Sequence, residues 1–214
     1  MAKEGIPFIA LFLVPAIAFS AFGIWPAAAP CLLLALFMAF FFRDPQRPIT
    51  TDRTVVVSPA DGRVLIAGPV EPGAADSPTQ VSIFLSPMDV HINRSPMEGE
   101  IIDVVYRPGS FHVASKDIAS VENEQNVVTI KGTGATIVFR QIAGILARRI
   151  VLWKRAGDHV SAGERIGLMK FSSRMDVIMP HEVELLVHKG DRVVGGVTAI
   201  GRITAQRMAP EPPK

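Results

Sequence analysis

The chain has 214 residues, enough for one globular domain with its own core plus a short additional element. Its 22 basic and 20 acidic residues leave a net charge of +2, which gives no broad positive footprint for nucleic acid, so no nucleic-acid partner is expected. The single cysteine, Cys31, excludes an intrachain disulfide and a thiolate metal cluster, and no metal is expected.

The apolar residues are concentrated near the start. Ile6 to Phe42 carries no charged side chain and consists almost wholly of Ala, Leu, Ile, Val and Phe. Pro26 divides it into pieces of about 18 and 16 residues, near the lower limit of the roughly 17 to 25 that cross a bilayer as a helix. The segment is expected to form a membrane anchor over 1–42, two short apolar helices folded as a hairpin. Lys3 before it and Arg43, Arg47 and Arg53 after it would then face the cytoplasm. A cleaved signal peptide, with Ala27, Ala28 and Ala29 at the cutting site, is the rival reading; Glu4 in the basic start and the second apolar run argue against it.

From Arg43 onward the pattern changes to short β-branched runs separated by Gly, Pro, Asp and Ser: Val55 to Val57, Arg63 to Ala67, Val81 to Leu85, Ile101 to Tyr106, Val127 to Lys131 and Ala135 to Gln141. These are the signals of short strands joined by tight turns. The expectation is a mostly antiparallel β domain, sheets or a sandwich, over 43–207. Gly68 to Thr79 reads as a loop, Ile142 to Arg148 as the one helical candidate of that domain, and 208–214 as a flexible Pro-rich tail. Gly157-Asp158-His159-Val160-Ser161-Ala162-Gly163 is echoed by Gly190-Asp191-Arg192-Val193-Val194-Gly195-Gly196. Both read G-D-x-V-x-x-G, a corner in which Gly supplies positive φ and Asp bonds the turn's own backbone. The repeat also resembles the turn signature of lipoyl and biotinyl carrier domains, in which Lys170 would be the modified lysine.

Four stretches combine reactive groups with turn residues: Ser58 to Gly62, Leu85 to Arg94, Gln141 to Ile150 and Phe171 to Asp176. Asp61, His91 and Ser173 could form an acid, base and nucleophile set, although spacing alone does not bring them together. The ordinary readings are a Pro-Ala-Asp-Gly turn for Asp61, a strand-start histidine for His91, and plain turn serines for Ser172 and Ser173. Arg148 and Arg149 would then pair with acidic neighbours or line a membrane face.

Taken in order, Phe41-Phe42-Arg43-Asp44-Pro45 after the apolar segment, S-P-A-D-G, F-L-S-P-M-D-V-H-I-N-R, E-N-E, Q-I-A-G with A-R-R-I, and K-F-S-S-R-M-D resemble the short bacterial and archaeal phosphatidylserine decarboxylases. The resemblance implies a carboxy-lyase at the cytoplasmic face of the cell membrane that converts phosphatidylserine to phosphatidylethanolamine and CO2. It implies a zymogen that cuts itself between Ser172 and Ser173 into a β chain (1–172) and an α chain (173–214), associated as a heterodimer; higher oligomers are left open. Ser173 would become a covalent pyruvoyl group, the enzyme's pyruvate cofactor, and form a Schiff base with the substrate amine. His91 would move protons and Asp61 would orient it, while Arg148, Arg149, Arg94 and Arg174 are the candidates for the lipid phosphate. Two positions depart from the family pattern: Ser172 stands where Gly is usual, and Arg94 where longer members carry a second histidine. The alternatives from other classes are a carrier domain modified at Lys170 and an anchored adaptor with no chemistry.

Overall fold

The computed structural model describes residues 1–145 and 149–204. The chain divides into two compact units, Met1–Gln46 and a second from Arg47 onward.

In the first unit, α1 (Ile6–Ala21) and α2 (Trp25–Phe41) form an antiparallel pair. Small residues, Ala16, Ala28 and Ala35, are buried, which lets the two backbones approach closely. Leu11, Val14, Ile17, Leu33 and Leu36 point outward. The helices are tied at their base, where Ala2 N–H donates to the Phe42 carbonyl at 3.0 Å and the Phe8 and Phe42 rings stack at 5.4 Å. The turn falls at Phe22 to Ile24 on Gly23, whose φ is +71°, and not at Pro26, which sits in the first turn of α2, where its missing N–H costs no helical bond. Lys3–Ala21 is long and apolar enough to cross a membrane by length and composition; Trp25–Phe41 is shorter.

The second unit is mostly antiparallel β. Its fourteen described strands are β1 (Val55–Val57), β2 (Gly62–Pro69), β3 (Thr79–Leu85), β4 (Ile92–Arg94), β5 (Gly99–Arg107), β6 (Gln125–Lys131), β7 (Thr136–Ala143), β8 (Ile150–Leu152), β9 (His159–Val160), β10 (Arg165–Met169), β11 (Ser173–Met179), β12 (Val183–Leu185), β13 (Arg192–Val193) and β14 (Ala199–Ile203), with one short helix, α3 (Ala119–Glu122), before β6. All six β-branched runs of the sequence are strands. Ile142 and Ala143, expected to begin a helix, instead complete β7, because they continue its pairing, Ile142 with Arg174 and Gln125 and Ala143 with Ser173. Leu146 to Arg148 and the tail at 208–214 lie outside the described residues.

The strands form a large sheet in the order β13-β2-β3-β11-β7-β6-β5-β9 and two small ones, β1-β14-β12 and β4-β10-β8. That order is an internal duplication. Strands β4 to β10 retrace the path of β1, β2, β3, β11, β12, β13 and β14, related by an approximate two-fold axis between the antiparallel neighbours β7 and β11. Registers agree pair by pair: Arg63 faces Phe84 and Arg192 in one repeat, and Glu100 faces Lys131 and His159 in the other. Ser58-Pro59 and Ser95-Pro96 cross at the axis with reciprocal bonds, Arg94 N–H to the Pro59 carbonyl and Val57 N–H to the Pro96 carbonyl, both 2.8 Å. Each serine hydroxyl donates to a carbonyl two residues on, at 2.6 Å. The G-D-x-V-x-x-G corners occupy equivalent places, with positive φ at Gly157, Gly163, Gly190 and Gly196. The repeat formed by β4 to β10 is continuous in sequence and inserted between β3 and β11 of the other, here the outer repeat. Alternating residues such as Ile83, Ile130, Ile137, Phe139, Met175 and Val177, all fully buried, fill one shared core.

Candidate active site

Ser173 opens β11 in the middle of the large sheet, paired with Leu85 of β3 and Ala143 of β7. It is fully buried, and its Oγ has no hydrogen-bond partner among the described residues. The two residues before it are in the left-handed region, Phe171 at φ +58° and Ser172 at φ +47°. A side chain in that region costs roughly 1–2 kcal/mol per residue, so the link into β11 is strained at the peptide bond preceding the buried hydroxyl. Gly144, the last residue of Q-I-A-G, explains how the Ser172 carbonyl is seated: a Cβ on Gly144 would overlap that oxygen. Only glycine permits the approach.

Asp61 closes the turn into β2. Its Oδ2 accepts from Arg47 at 2.7 Å and its Oδ1 from the Gly195 N–H at 2.8 Å, while Arg47 also donates to the Gly195 carbonyl at 3.1 Å. The pair is largely sheltered, with the side chains 10% and 16% exposed. His91, 2% exposed, lies in the segment from β3 to β4. Its carbonyl accepts from Met169 N–H at 3.2 Å, four residues before Ser173, and its Nδ1 is 3.0 Å from the Asp89 carbonyl. The imidazole is thus oriented by the main chain of its own turn. Asp89 is fixed in turn by the Ser86 N–H at 2.9 Å and by Arg192 at 2.6 Å. Because Arg63 pairs with Phe84 and Leu85 with Ser173, the beginnings of β2 and β11 and the end of β3 share one end of the sheet. Asp61 and Ser173 stand at that end, and His91 follows from the same end of β3.

The family model described as phosphatidylserine decarboxylase matches residues 34–201. The phosphatidylserine decarboxylase proenzyme of Solibacter usitatus is 52% identical over 175 residues, covering 82% of this chain and 83% of that protein. Those of Symbiobacterium thermophilum and Geotalea uraniireducens are 44% and 42% identical, and each comparison covers at least 94% of both proteins. The chain belongs to the phosphatidylserine decarboxylase family.

Within this decarboxylase-family chain, the arginines chosen from sequence separate by burial. Arg174 is buried, with Nε donating to Asp176 at 2.7 Å and Nη2 to Ser82 Oγ at 2.9 Å. Arg94 is buried and donates to the Gly163 carbonyl at 2.8 Å. A buried guanidinium already engaged by protein oxygens is poorly placed to take a lipid phosphate. Arg149 is exposed just before β8, and Arg148 lies outside the described residues. Lys170 sits half-buried in the strained link itself.

Sequence reading missed three contributors. Arg47 looked like a flanking charge of the anchor and instead binds Asp61. Arg192 looked like a turn residue and instead holds Asp89. Gly144 was quoted only as part of a motif. Their signal was pairing at long sequence separation, which no local pattern carries.

Proposed function

We propose that the chain is the proenzyme of a pyruvoyl-dependent phosphatidylserine decarboxylase, cut between Ser172 and Ser173 to give chains 1–172 and 173–214 that stay together. The observation that carries this is the strained Phe171-Ser172 link, with its carbonyl seated on Gly144, leading into a buried Ser173 hydroxyl that has no hydrogen-bond partner among the described residues.

Ser173 Oγ adds to the Ser172 carbonyl carbon, the C–N bond breaks, and an ester replaces the amide. Removal of the Ser173 α-proton then expels the Ser172 carboxylate from Cβ. The resulting dehydroalanine takes up water and loses ammonia, which leaves a pyruvoyl group at the start of the second chain. Ser173 fits this conversion, since its hydroxyl has no competing bond among the described residues and its backbone is held by β3 and β7 on both sides. The pyruvoyl carbonyl, conjugated to the substrate nitrogen, supplies the electron sink that protein side chains lack. His91 moves the protons. A ring Nδ1–H given to the Asp89 carbonyl makes Nε2 the acceptor, and positioned proton transfer contributes about 10² to 10⁴ in rate. Asp61, paired with Arg47, stands at the same end of the sheet as Ser173. Arg149, with Arg148, is the candidate for the lipid phosphodiester. The α1–α2 anchor keeps the domain at the bilayer that holds its substrate, on the cytoplasmic side by the basic residues flanking it.

A denaturing gel with intact mass measurement tests the reading. Two fragments meeting at Ser173, the second lacking a free amino terminus, are expected. An intact chain heavier by a lipoyl or biotinyl group on Lys170 would establish a carrier domain, and an unmodified intact chain an adaptor.

A further inference from the structure

The two repeats build the same interior corner from different residues. In the outer repeat Thr79 pairs with Met179, and Val56 pairs with Gly201, on which a Cβ would lie 2.9 Å from the Met179 sulfur. In the inserted repeat the equivalent pairs are Asn126 with Gln141 and Asn93 with Gly167, on which a Cβ would lie 3.1 Å from Gln141 Nε2. The fold therefore does not need amides at this corner, because its own other half closes it with Val56, Met179 and one hydroxyl.

The amides are buried, Asn93 and Gln141 completely. They form a directed chain. Asn126 Nδ2 donates to Gln141 Oε1 at 3.4 Å, and Gln141 Nε2 donates to Asn93 Oδ1 at 2.8 Å. Asn93 Nδ2, at the end of the chain, has no hydrogen-bond partner among the described residues. An unsatisfied buried donor costs about 1–3 kcal/mol, so its retention calls for a purpose.

Position supplies one. Ser173 faces Ala143 across β7 and β11, and Gln141 is the next residue of β7 on that same inward face, diagonal to Ser173. Met179, its counterpart, stands at the far end of β11. The amides thus occupy only the corner next to the reactive serine.

We propose that Asn93 Nδ2, polarised through Gln141 and Asn126, donates to a carboxylate oxygen of the seryl head group and selects substrate over product. The assignment rests on the decarboxylase reading above. A neutral donor orients the carboxylate without the charge pairing that would oppose its loss as CO2. Once CO2 departs its acceptor is gone, so the donor contributes to substrate binding and not to binding of the ethanolamine product.

The test is the double variant Asn93→Val with Gln141→Met, which installs the outer repeat's own residues, assayed on phosphatidylserine vesicles beside Asn93→Asp, which keeps shape but removes the donor. Both should still give two fragments meeting at Ser173. Both should lose about 10- to 100-fold in kcat/KM, as expected for a hydrogen bond to a charged group, while inhibition by added phosphatidylethanolamine stays unchanged. If the double variant accumulates too little, Gln141→Met alone, which uncouples Asn93, decides by the same readouts. Turnover within about twofold of the natural chain, an equal loss of product affinity, or a block in self-cleavage would overturn the assignment. A natural chain that cleaves but does not act on phosphatidylserine would instead remove the functional reading beneath it.

Discussion

The outer and inserted repeats follow one path, seven strands each, yet only the outer repeat carries a strained link leading into a buried serine. The inserted repeat is continuous, and its β6 and β7 are joined by a short turn in which Gly134, at φ +84°, precedes Ala135. The equivalent place in the outer repeat is where the chain re-enters after the insertion, and there Ser172, at φ +47°, precedes Ser173. A left-handed residue is needed in both. Glycine meets the need without strain in one repeat, whereas the other holds the Ser172 side chain there, followed by the buried Ser173 hydroxyl. The acids differ similarly: Asp61 is sheltered with Arg47, whereas Glu98, its counterpart in S-P-M-E-G, pairs with Arg53 at 3.0 Å with both side chains about half exposed or more, 47% and 63%. Geometry common to both repeats makes the fold; the strain and burial around Ser173 belong to one of them.

The largest expected effect comes from removing the nucleophile. Ser173→Ala should give a full-length chain with no turnover. The reverse change in the inserted repeat, Gly134→Ser with Ala135→Ser, should add no further fragment on the same gel; a new cut there would show that the turn alone suffices for cleavage. Next, Gly144→Ala forces the Ser172 carbonyl from its seat. Overpacking of this kind costs about 1–3 kcal/mol, so self-cleavage followed by gel over time should slow by roughly tenfold or more. A rate equal to that of the natural chain would mean the carbonyl's place is unimportant.

The acids offer a matched pair of smaller effects. Asp61→Ala leaves the sheltered Arg47 unpaired and should lower unfolding stability by about 1–3 kcal/mol in urea, along with at least a tenfold loss of turnover. Glu98→Ala removes an exposed pair and should change stability by about 0–1 kcal/mol and turnover less than twofold. Equal losses at both positions would erase the distinction between the repeats. The smallest effect concerns strain. In an uncleavable Ser173→Ala background, Ser172→Gly should raise stability by about 1 kcal/mol and Gly134→Ser should lower it by a similar amount, both read from urea midpoints. With Ser173 intact, Ser172→Gly should cleave at least as fast as the natural sequence.

The sequence by itself determined the elements. Runs such as Val81 to Leu85 read as strands, the uncharged run from Ile6 read as an apolar helical pair, and six motifs in colinear order carried the family resemblance. Even so, G-D-x-V-x-x-G looked like two similar turns and was in fact the visible trace of a complete duplication. The rest was hidden because the repeats share only punctuation, Ser-Pro, Gly-Asp and alternation, while one is inserted inside the other. Tertiary structure alone decided that Arg47 belongs to Asp61, that Arg94 and Arg174 are interior, that Gly144 seats the Ser172 carbonyl, and that three amides gather beside Ser173. Each depends on how strands distant in sequence pair and on the loops they carry with them, and that pairing is set by sheet register, which no single strand encodes.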